Sequence, residues 1–539
     1  MPVFSYPELP LDGLLRRAAR RAPDAAAIRY DDGRPAVTFA ELDAQADRIA
    51  GHLEHTVGRR GARVGVANVL DASFAAAYYG TARSGNTAVL VNPLIKEAGL
   101  AHVFATASVE VAFVPAATAR LLESLAGQLP HLHTVVVTDG AGLPRWPAGP
   151  GAAPAPASGS GAEPDDLACI QFTTGTTGNP RGVRLTHRNL VANAAQTAAA
   201  HDLRRDSVVL NHLPLYHVMH LNSAVYAGAC QVLCTHPDPL VSLAVAAREG
   251  ASHYYGLPAR LHRLAAQLRD AHDVSIEGVP AGPRLTAVLS GGTALDPSAA
   301  RTLRERLGVP VVQGYGMAEL SPLSHCQRPG GGRSDAYDAH DRPRSTAVGQ
   351  TVPGTECRIV HLDTRRPLAP YSTGEVQVRG PQLMAGYLDC LGPAKVEYGG
   401  WFSTGDVGYV NADGELFLVD RLGDVFKYDN ELVSPTAVEA VVAADERVAD
   451  CVVAGWPDPV HGAVVWTGIV LRDPRAASGP GLLDALDSIV ERANERLAPF
   501  EQIRRVEVID AVPRTPVGKP ARRGLLMSIR TRAAVETAA

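Results

Sequence analysis

The chain has no long apolar run and little net charge, and each absence excludes a class of protein. No stretch of 18 or more apolar residues occurs in its 539 residues, so the sequence predicts no membrane-spanning helix. The first residues have no basic segment followed by an apolar core, so we expect no secretion signal and a cytoplasmic location. The net charge of −5 argues against a general nucleic-acid or membrane-surface role.

Cysteine is also scarce. The seven cysteines are scattered and odd in number, which is typical of reduced thiols. Cys230, Cys234 and His236 are close enough in sequence to raise the question of a metal site, but no second ligand pair accompanies them. Because they lie in a strand-like run, we interpret Cys230 and Cys234 as buried core thiols.

Short apolar runs alternate with amphipathic segments along most of the chain. The runs at 63–69, 88–92 and 134–138 are separated by helix-like segments such as 38–55 and 118–129. This alternation predicts an α/β fold with largely parallel, buried sheets.

The length predicts more than one domain. Strand-like residues at 401–419 precede a boundary after Arg421, and a shorter unit with a helix at 482–497 follows it. We therefore predict a large N-terminal domain, residues 1–422, and a small C-terminal domain, residues 423–539.

The segment at 171–187 reads QFTTGTTGNPRGVRLTH and is the most informative in the chain. A strand is predicted before it, at 167–172, and a helix after it, at 187–200. Glycines let the backbone approach a ligand, amides and hydroxyls donate hydrogen bonds, and a cation balances charge. The segment therefore predicts a polyphosphate site rather than a polar surface turn, although it matches neither G-x-x-x-x-G-K-[ST] nor G-x-G-x-x-G. The predicted phosphate-binding residues are Thr173, Thr174, Gly175, Thr176, Thr177, Gly178 and Arg181.

Seven further motifs follow in order. They are LPLYHVM from Leu213, SGGT from Ser290, QGYGMAE from Gln313, GEVQVRG from Gly374, WFSTGD from Trp401, DRLGD from Asp420 and PRTPVGK from Pro513. With these motifs the chain resembles the adenylate-forming superfamily, which includes acyl-CoA synthetases, peptide-synthetase adenylation domains and luciferases. The resemblance implies parallel-rich sheets packed with helices and a β-subdomain in the N-terminal domain, and a mobile α+β C-terminal domain.

The resemblance implies a reaction in two halves. A carboxylate attacks the α-phosphate of Mg-ATP to give an acyl-adenylate and pyrophosphate, and a thiol then displaces AMP. The expected ligands are therefore ATP, Mg²⁺, coenzyme A and a small carboxylic acid. The small domain would rotate between the two halves, so that one cleft serves both reactions.

The resemblance also assigns roles to single residues. Lys519 would bridge the carboxylate and the α-phosphate, Glu319 would hold Mg²⁺, and Gly423 would be the hinge. Tyr315 would stack on adenine, and Asp406 would accept the ribose hydroxyls. The implied nucleotide-binding residues are Gly291, Gly292, Gln313, Gly314, Tyr315, Asp406 and Arg421.

The acyl pocket is expected at His217, Tyr255, Gly316 and Met317. His217 either gates this pocket as a catalytic residue or is a structural histidine. Amino-acid-activating relatives have an Asp in the run after Tyr216 to pair the substrate ammonium, and here that run has none. Because a buried, unpaired cation is costly, we expect an aryl, fatty or polycyclic acid instead. No carrier-protein segment follows the last motif, so free coenzyme A is the expected acceptor.

Four positions depart from the family pattern. Arg181 replaces a lysine, Ala318 a threonine and Asn430 a glycine, and Gly423 stands where the hinge usually carries Lys or Asp. These changes leave open an enzyme with impaired adenylation that mainly thioesterifies an acyl-adenylate supplied by a partner enzyme. The motifs are also compatible with an adenylating enzyme that loads a carrier protein and with a non-catalytic nucleotide-binding relative.

Overall fold

The structure is a computed structural model. The residues that it describes are 4–138, 161–173, 180–212, 216–270, 284–328, 347–388, 396–429, 431–473, 481–514, 520–522, 524–525, 527–529 and 531. The helices are α1 (Asp12–Arg21), α2 (Phe39–Val57), α3 (Ala72–Arg83), α4 (Glu97–Ala107), α5 (Ala116–Ser124), α6 (His187–Ala200), α7 (Val218–Ala227), α8 (Pro239–Arg248), α9 (Pro258–Asp270), α10 (Pro297–Leu307), α11 (Pro435–Val442) and α12 (Leu482–Asn494).

The strands form four sheets. They are β1 (Ala26–Tyr30), β2 (Val37–Thr38), β3 (Arg63–Ala67), β4 (Thr87–Val91), β5 (Val111–Val114), β6 (Thr134–Val137), β7 (Leu167–Phe172), β8 (Gly182–Thr186), β9 (Val208–Asn211), β10 (Cys230–Leu233), β11 (His253–Gly256), β12 (Ala287–Ser290), β13 (Val311–Gly316), β14 (Leu323–Cys326), β15 (Gln350–Thr351), β16 (Glu356–Val360), β17 (Gly374–Arg379), β18 (Gly386–Tyr387), β19 (Val396–Glu397), β20 (Trp401–Val410), β21 (Leu416–Arg421), β22 (Phe426–Tyr428), β23 (Glu431–Val433), β24 (Val448–Asp458), β25 (Gly462–Leu471) and β26 (Ile503–Val508).

Two large sheets with parallel centres build most of the molecule. The first has the order β15-β14-β13-β12-β11-β9-β10-β1-β2, and its central strands from β13 to β1 run parallel. The second has the order β18-β8-β7-β4-β3-β5-β6 and is parallel from β7 to β6. The predicted α/β class with largely parallel sheets is confirmed.

Two smaller sheets complete the fold. Strands β16, β17, β19, β20 and β21 form an antiparallel sheet, which is the expected β-subdomain. Strands β22 to β26 form the sheet of the C-terminal unit, against which α11 and α12 pack. The large and small units are therefore confirmed, whereas the boundary at residue 422 stays a prediction.

Local sequence signals define several of these elements. Helix α2 begins with a capping box, in which Thr38 accepts from the Glu41 backbone and Glu41 accepts from the Thr38 backbone. Gly58 ends this helix with a φ of +66°, a conformation that glycine adopts without strain. Thr186 and Asn189 form the corresponding box at the start of α6.

The largest buried cluster joins the two large sheets. Side chains of α1, α2, α3, α6 and α7 fill the space between them, with Tyr78 and Tyr79 fully buried. Cys230 and Cys234 are buried, which confirms their interpretation as core thiols. No helix in the described part of the chain is both long enough and apolar enough to cross a membrane.

Candidate active site

A cavity of about 490 Å³ lies at the carboxyl ends of the parallel strands β11, β12 and β13. Gly256, Ser290 and Gly316 end these strands, and all three line the cavity. In open parallel sheets this edge is where ligands usually bind, because the loops that leave it can converge on one crevice. The cavity is therefore the candidate active site.

Three predicted nucleotide-binding side chains meet in a hydrogen-bonded group. The Tyr315 hydroxyl donates to Asp406 Oδ2 at 2.5 Å, and Arg421 Nε lies 2.7 Å from Asp406 Oδ1. The register between β20 and β21 places Asp406 directly opposite Arg421. Burial and the Asp406 charge raise the pKa of Tyr315 well above its usual value, so Tyr315 remains a protonated donor.

Glycines form the wall beside this group. Gly291 and Gly292 follow β12, and Gly292 has a φ of +92°. An added Cβ at Gly316 would lie 2.0 Å from the carbonyl oxygen of Pro322, so only glycine fits there. These glycines line the cavity with backbone atoms alone.

Gln313 is placed differently from the other nucleotide-binding candidates. Its Oε1 accepts from the Leu295 N–H at 3.1 Å, and its own N–H donates to Gln327 at 2.9 Å. The side chain therefore holds the loop after the two glycines. Its role at the adenine stays a prediction.

The phosphate end of the site lies between β7 and β8. Thr173 N–H donates to the Arg181 carbonyl at 2.9 Å, and Arg181 N–H donates to Thr173 Oγ1 at 3.1 Å. These bonds close the base of the loop. Thr174, Gly175, Thr176, Thr177, Gly178 and Lys519 lie outside the described residues, and so does Asn430.

Tyr387 connects the predicted phosphate cation with the predicted metal ligand. The Arg181 guanidinium carbon lies 3.4 Å from the centroid of the Tyr387 ring. The Tyr387 hydroxyl donates to Glu319 Oε1 at 2.8 Å, and Glu319 itself is buried. One aromatic ring thus positions both charged groups.

Glu319 suits a magnesium site in which the substrate phosphates supply further ligands. Mg²⁺ is usually held by one or two carboxylates, with phosphate oxygens and water as further ligands. In the part of the chain that the structure describes, no group of three or more His, Cys, Asp or Glu side chains could hold a metal ion. A single buried carboxylate at the phosphate end agrees with that chemistry.

Histidines line the other end of the cavity. His217 caps the start of α7, where its Nδ1 accepts from the Met219 N–H at 3.2 Å. Burial lowers the pKa of His217 to about 4, so the ring is neutral at pH 7 and carries its proton on Nε2. One turn later, His220 stacks on Tyr255 with ring centroids 4.1 Å apart.

The family described as AMP-binding enzyme matches residues 15–388, more than half of the chain. The chain belongs to the AMP-binding enzymes. The family's C-terminal domain matches residues 437–519. The chain is thus an ATP-dependent, AMP-forming acid–thiol ligase of the acyl-CoA synthetase branch in the adenylate-forming superfamily, and both predictions are confirmed.

Relatives of this AMP-binding enzyme match it over nearly the whole length. It is 30% identical to 4-coumarate–CoA ligase 5 of Oryza sativa subsp. japonica, over 97% of this chain and 96% of that one. It is 28% identical to the long-chain-fatty-acid–CoA ligase of Bacillus subtilis, over 96% and 94%. The solved structure of the anthranilate CoA ligase AuaEII with anthranoyl-AMP has a TM-score of 0.77 at 23% identity, covering 98% of each chain. That likeness supports the fold.

The cavity of the AMP-binding enzyme brings most of the described candidate residues together. Those that line it are Thr173, Arg181, His217, Tyr255, Gly291, Gly292, Gly314, Tyr315, Gly316, Met317, Glu319 and Arg421. Gly423 is exposed, two residues beyond Arg421, and its hinge role stays a prediction.

Sequence reasoning missed His201, His220 and Tyr387, which also line the cavity. His220 lies in the run after Tyr216, which lacks an acidic residue. It follows His217 by three positions, so on a helix the two histidines lie on the same face, and this spacing could have indicated it. Nothing in the sequence around Tyr387 indicates its contacts with Arg181 and Glu319.

Proposed function

We propose that the chain joins a non-amino carboxylic acid to coenzyme A through an acyl-adenylate. The acid carboxylate attacks the α-phosphate of ATP, a new C–O–P linkage forms, and pyrophosphate leaves. The thiolate of coenzyme A then attacks the acyl carbon, a thioester forms, and AMP leaves with the bonding electrons.

The observation that carries this proposal is the Tyr315–Asp406–Arg421 group beside the glycine wall. Asp406 does not itself line the cavity, but its two donors, Tyr315 and Arg421, do, and they fix its orientation. Its remaining acceptor capacity would serve a ribose hydroxyl placed between them. Gly291 and Gly292 line the cavity without side chains, so a planar base could approach their backbone. Together these features support a nucleoside at this end of the cavity.

The polar and charged residues at the phosphate end would contact the phosphates of ATP. Thr173 and Arg181 would bind the departing phosphates, and Arg181 offers a planar set of donors for oxygen pairs. Glu319 would hold Mg²⁺, which supplies charge neutralisation at the phosphates when it is bound. Lys519 remains the candidate for stabilising the adenylation transition state.

The charge of the pocket supports a substrate without an ammonium group. Among the described lining residues, the one carboxylate is Glu319, at the phosphate end. The histidines at the opposite end are neutral, since burial lowers the pKa of His201 to about 3 and of His217 to about 4. An ammonium group there would be buried without a partner. The names of the two sequence relatives agree, because coumarate and long-chain fatty acids carry no amino group.

The test is ATP–pyrophosphate exchange with a panel of aryl, fatty, polycyclic and amino acids, followed by mass detection of the CoA thioester. We expect exchange with a non-amino acid and a thioester of the same acid. Asp406→Asn should raise the KM for ATP at least about tenfold, since one charged hydrogen-bonding group is lost. Exchange with amino acids alone would contradict the proposal.

A second candidate function is thioesterification of a supplied acyl-adenylate. Ala318 lies on the cavity wall next to Glu319 and offers no hydroxyl where the family has one. Thioester formation from synthetic acyl-adenylates, without exchange for any acid, would favour this candidate. Replacing coenzyme A by a phosphopantetheinyl carrier protein in the same assay separates a CoA ligase from a carrier-loading enzyme.

A further inference from the structure

The guanidinium of Arg181 lies against an aromatic ring on the cavity wall. Its central carbon is 3.4 Å from the centroid of the Tyr387 ring, and both side chains line the cavity. The Tyr387 side chain is buried, with 6% of its surface exposed. A cation gains more from such a ring contact in a buried place than at an exposed one. The contact therefore fixes the orientation of the guanidinium.

The backbone on both sides of this contact is fixed as well. Tyr387 lies on β18, which pairs with β8, the strand that begins directly after Arg181. The Leu388 N–H donates to the Gly182 carbonyl at 2.7 Å, and the bonds between Thr173 and Arg181 close the loop toward β7. The cation and the ring are thus carried by paired strands, so the strand pairing itself sets the distance between them.

Stacking does not use the hydrogen-bond donors of a guanidinium. Its five N–H groups lie in the plane of the group, whereas an aromatic ring covers one face. Two oxygens of a pyrophosphate can therefore accept parallel hydrogen bonds from the edge of a stacked guanidinium. An ammonium group has no plane, so a lysine at position 181 would gain no fixed set of donor directions from the same ring.

Arg181 is also the cation at the phosphate end of the cavity. Among the described lining residues, the side chains that are positive at pH 7 are Arg181 and Arg421, since burial lowers the pKa of the lining histidines. Arg421 pairs with Asp406 at the nucleotide end. In adenylation the bond from the α-phosphorus to its bridging oxygen breaks, and the bonding electrons stay on pyrophosphate. The leaving group gains negative charge, which a cation of fixed orientation stabilises.

We propose that Tyr387 is a positioning residue that orients Arg181 toward the departing pyrophosphate, so that adenylation depends on an arginine stacked on this ring. The inference rests on the proposed function and goes beyond it by assigning a residue that acts through Arg181. It also gives the departure at residue 181 a direction. Arg181→Lys, which restores the residue of the family pattern, should weaken adenylation in this chain rather than strengthen it.

Binding and use of pyrophosphate test the inference. Calorimetry at saturating Mg²⁺ gives the dissociation constants of Mg-pyrophosphate and of AMP, and pyrophosphate exchange with the best acid of the panel gives kcat and KM. We expect Arg181→Lys and Tyr387→Leu each to raise the dissociation constant and the KM of pyrophosphate about tenfold. The dissociation constant of AMP, which lacks the leaving phosphates, should stay within about twofold.

Two further variants show whether the ring acts through Arg181. Tyr387→Phe keeps the ring and loses the hydroxyl that bonds Glu319, and at saturating Mg²⁺ it should bind pyrophosphate within about threefold of the wild type. In an Arg181→Lys background, Tyr387→Leu should add less than about threefold, because the effects of two residues in one contact are not additive.

Tyr30→Leu is the matched control. Arg34 lies 3.8 Å from the centroid of the Tyr30 ring, the ring is 7% exposed, and Tyr30 is not among the residues that line the cavity. Its loss should leave pyrophosphate binding equal to that of the wild type. Thioester formation from a synthetic acyl-adenylate checks the folding of every variant, because that half-reaction involves no pyrophosphate.

Three outcomes would overturn the inference while leaving the proposed function intact. One is an Arg181→Lys protein that binds pyrophosphate as tightly as the wild type. Another is unchanged pyrophosphate binding in a Tyr387→Leu protein that melts like the wild type. The third is a Tyr387→Leu effect that is equally large in the Arg181→Lys background. If Tyr387→Leu does not fold, Arg181→Lys decides, and if no acid supports exchange, the calorimetric constants decide. A wild-type protein that binds neither Mg-ATP nor Mg-pyrophosphate would overturn both proposals.

Discussion

At the residue scale, a substitution at Ala318 tests whether the missing threonine hydroxyl slows the adenylation step. We predict that Ala318→Thr increases the rate of pyrophosphate exchange about tenfold. The added hydroxyl would lie next to Glu319 and could donate to the α-phosphate, and a hydrogen bond to a charged group contributes about 1.5–3 kcal/mol. The measurement is kcat for exchange with the best acid of the panel.

Ala318→Val is the matched control, because valine has the shape of threonine without its hydroxyl. It should not increase exchange, and added bulk on the cavity wall should leave its rate equal to or below that of the wild type. If Ala318→Thr is no faster than Ala318→Val, the missing hydroxyl does not limit adenylation.

At the scale of elements, Arg83 joins three helices through a buried ionic group. It lies at the end of α3, fully buried, with Asp12 of α1 at 3.4 Å and Asp47 of α2 at 2.9 Å. Asp43 of α2 completes the group at 2.5 Å. We predict that Arg83→Met lowers the free energy of unfolding by about 3 kcal/mol, because the buried Asp12 and the partly exposed Asp43 and Asp47 would lose their shared cation.

Arg59→Met provides the comparison for this prediction. Arg59 pairs with Glu110, but its side chain is 55% exposed, so its loss should cost less than about 1 kcal/mol. Both variants are measured by urea denaturation. Equal effects of the two substitutions would contradict a special role for the buried cation.

The elements themselves were largely predictable, whereas the contacts between them were not. The predicted strand 167–172 and helix 187–200 match β7 and α6, because apolar periodicity and the Thr186 cap are local signals. The bond from Tyr387 to Glu319 spans 68 positions in sequence. Such a contact depends on how β18 of one sheet meets the short segment after β13 of the other, and a single sequence does not encode it locally.

At the scale of the whole molecule, buried histidines make stability depend on pH. Burial lowers the pKa of His187 and His217 to about 4, and of His201 and His325 to about 3. These histidines take up a proton near pH 6.5 in the unfolded chain but not in the folded one. Their contribution to the free energy of unfolding is therefore fully present above pH 6.5 and is lost as the pH falls below it.

We therefore predict that the free energy of unfolding decreases steadily from pH 6.5 to pH 4. Each histidine contributes a slope of up to about 1.4 kcal/mol per pH unit in that window. Urea denaturation at intervals of half a pH unit measures the slope. His325→Gln should reduce it, and a flat profile between pH 6.5 and pH 4 would show that these side chains become protonated in the folded state.

The hinge prediction concerns motion of the small domain as a whole. Asp420 accepts from the Ser434 hydroxyl and the Thr436 N–H at the start of α11, and Lys427 pairs with Asp363 at 2.8 Å. Gly423 lies between these contacts, and an added Cβ there would touch nothing. Gly423 has no positive φ in this structure. We predict that Gly423→Ala folds normally. If domain rotation takes residue 423 into a left-handed torsion, the variant should slow the half-reaction that needs that position about tenfold, because such a torsion costs alanine about 1–2 kcal/mol.

Separate assays of exchange and of thioester formation from a synthetic acyl-adenylate measure the two halves of this prediction. We expect one rate to fall and the other to stay within about twofold of the wild type, because a hinge at residue 423 would need a left-handed torsion in only one of the two domain positions. Gly127→Ala is the control, since Gly127 is also exposed and its added Cβ would also touch nothing. If both rates of Gly423→Ala equal those of Gly127→Ala, the rotation does not use a left-handed torsion at residue 423, and the flanking residues must absorb it.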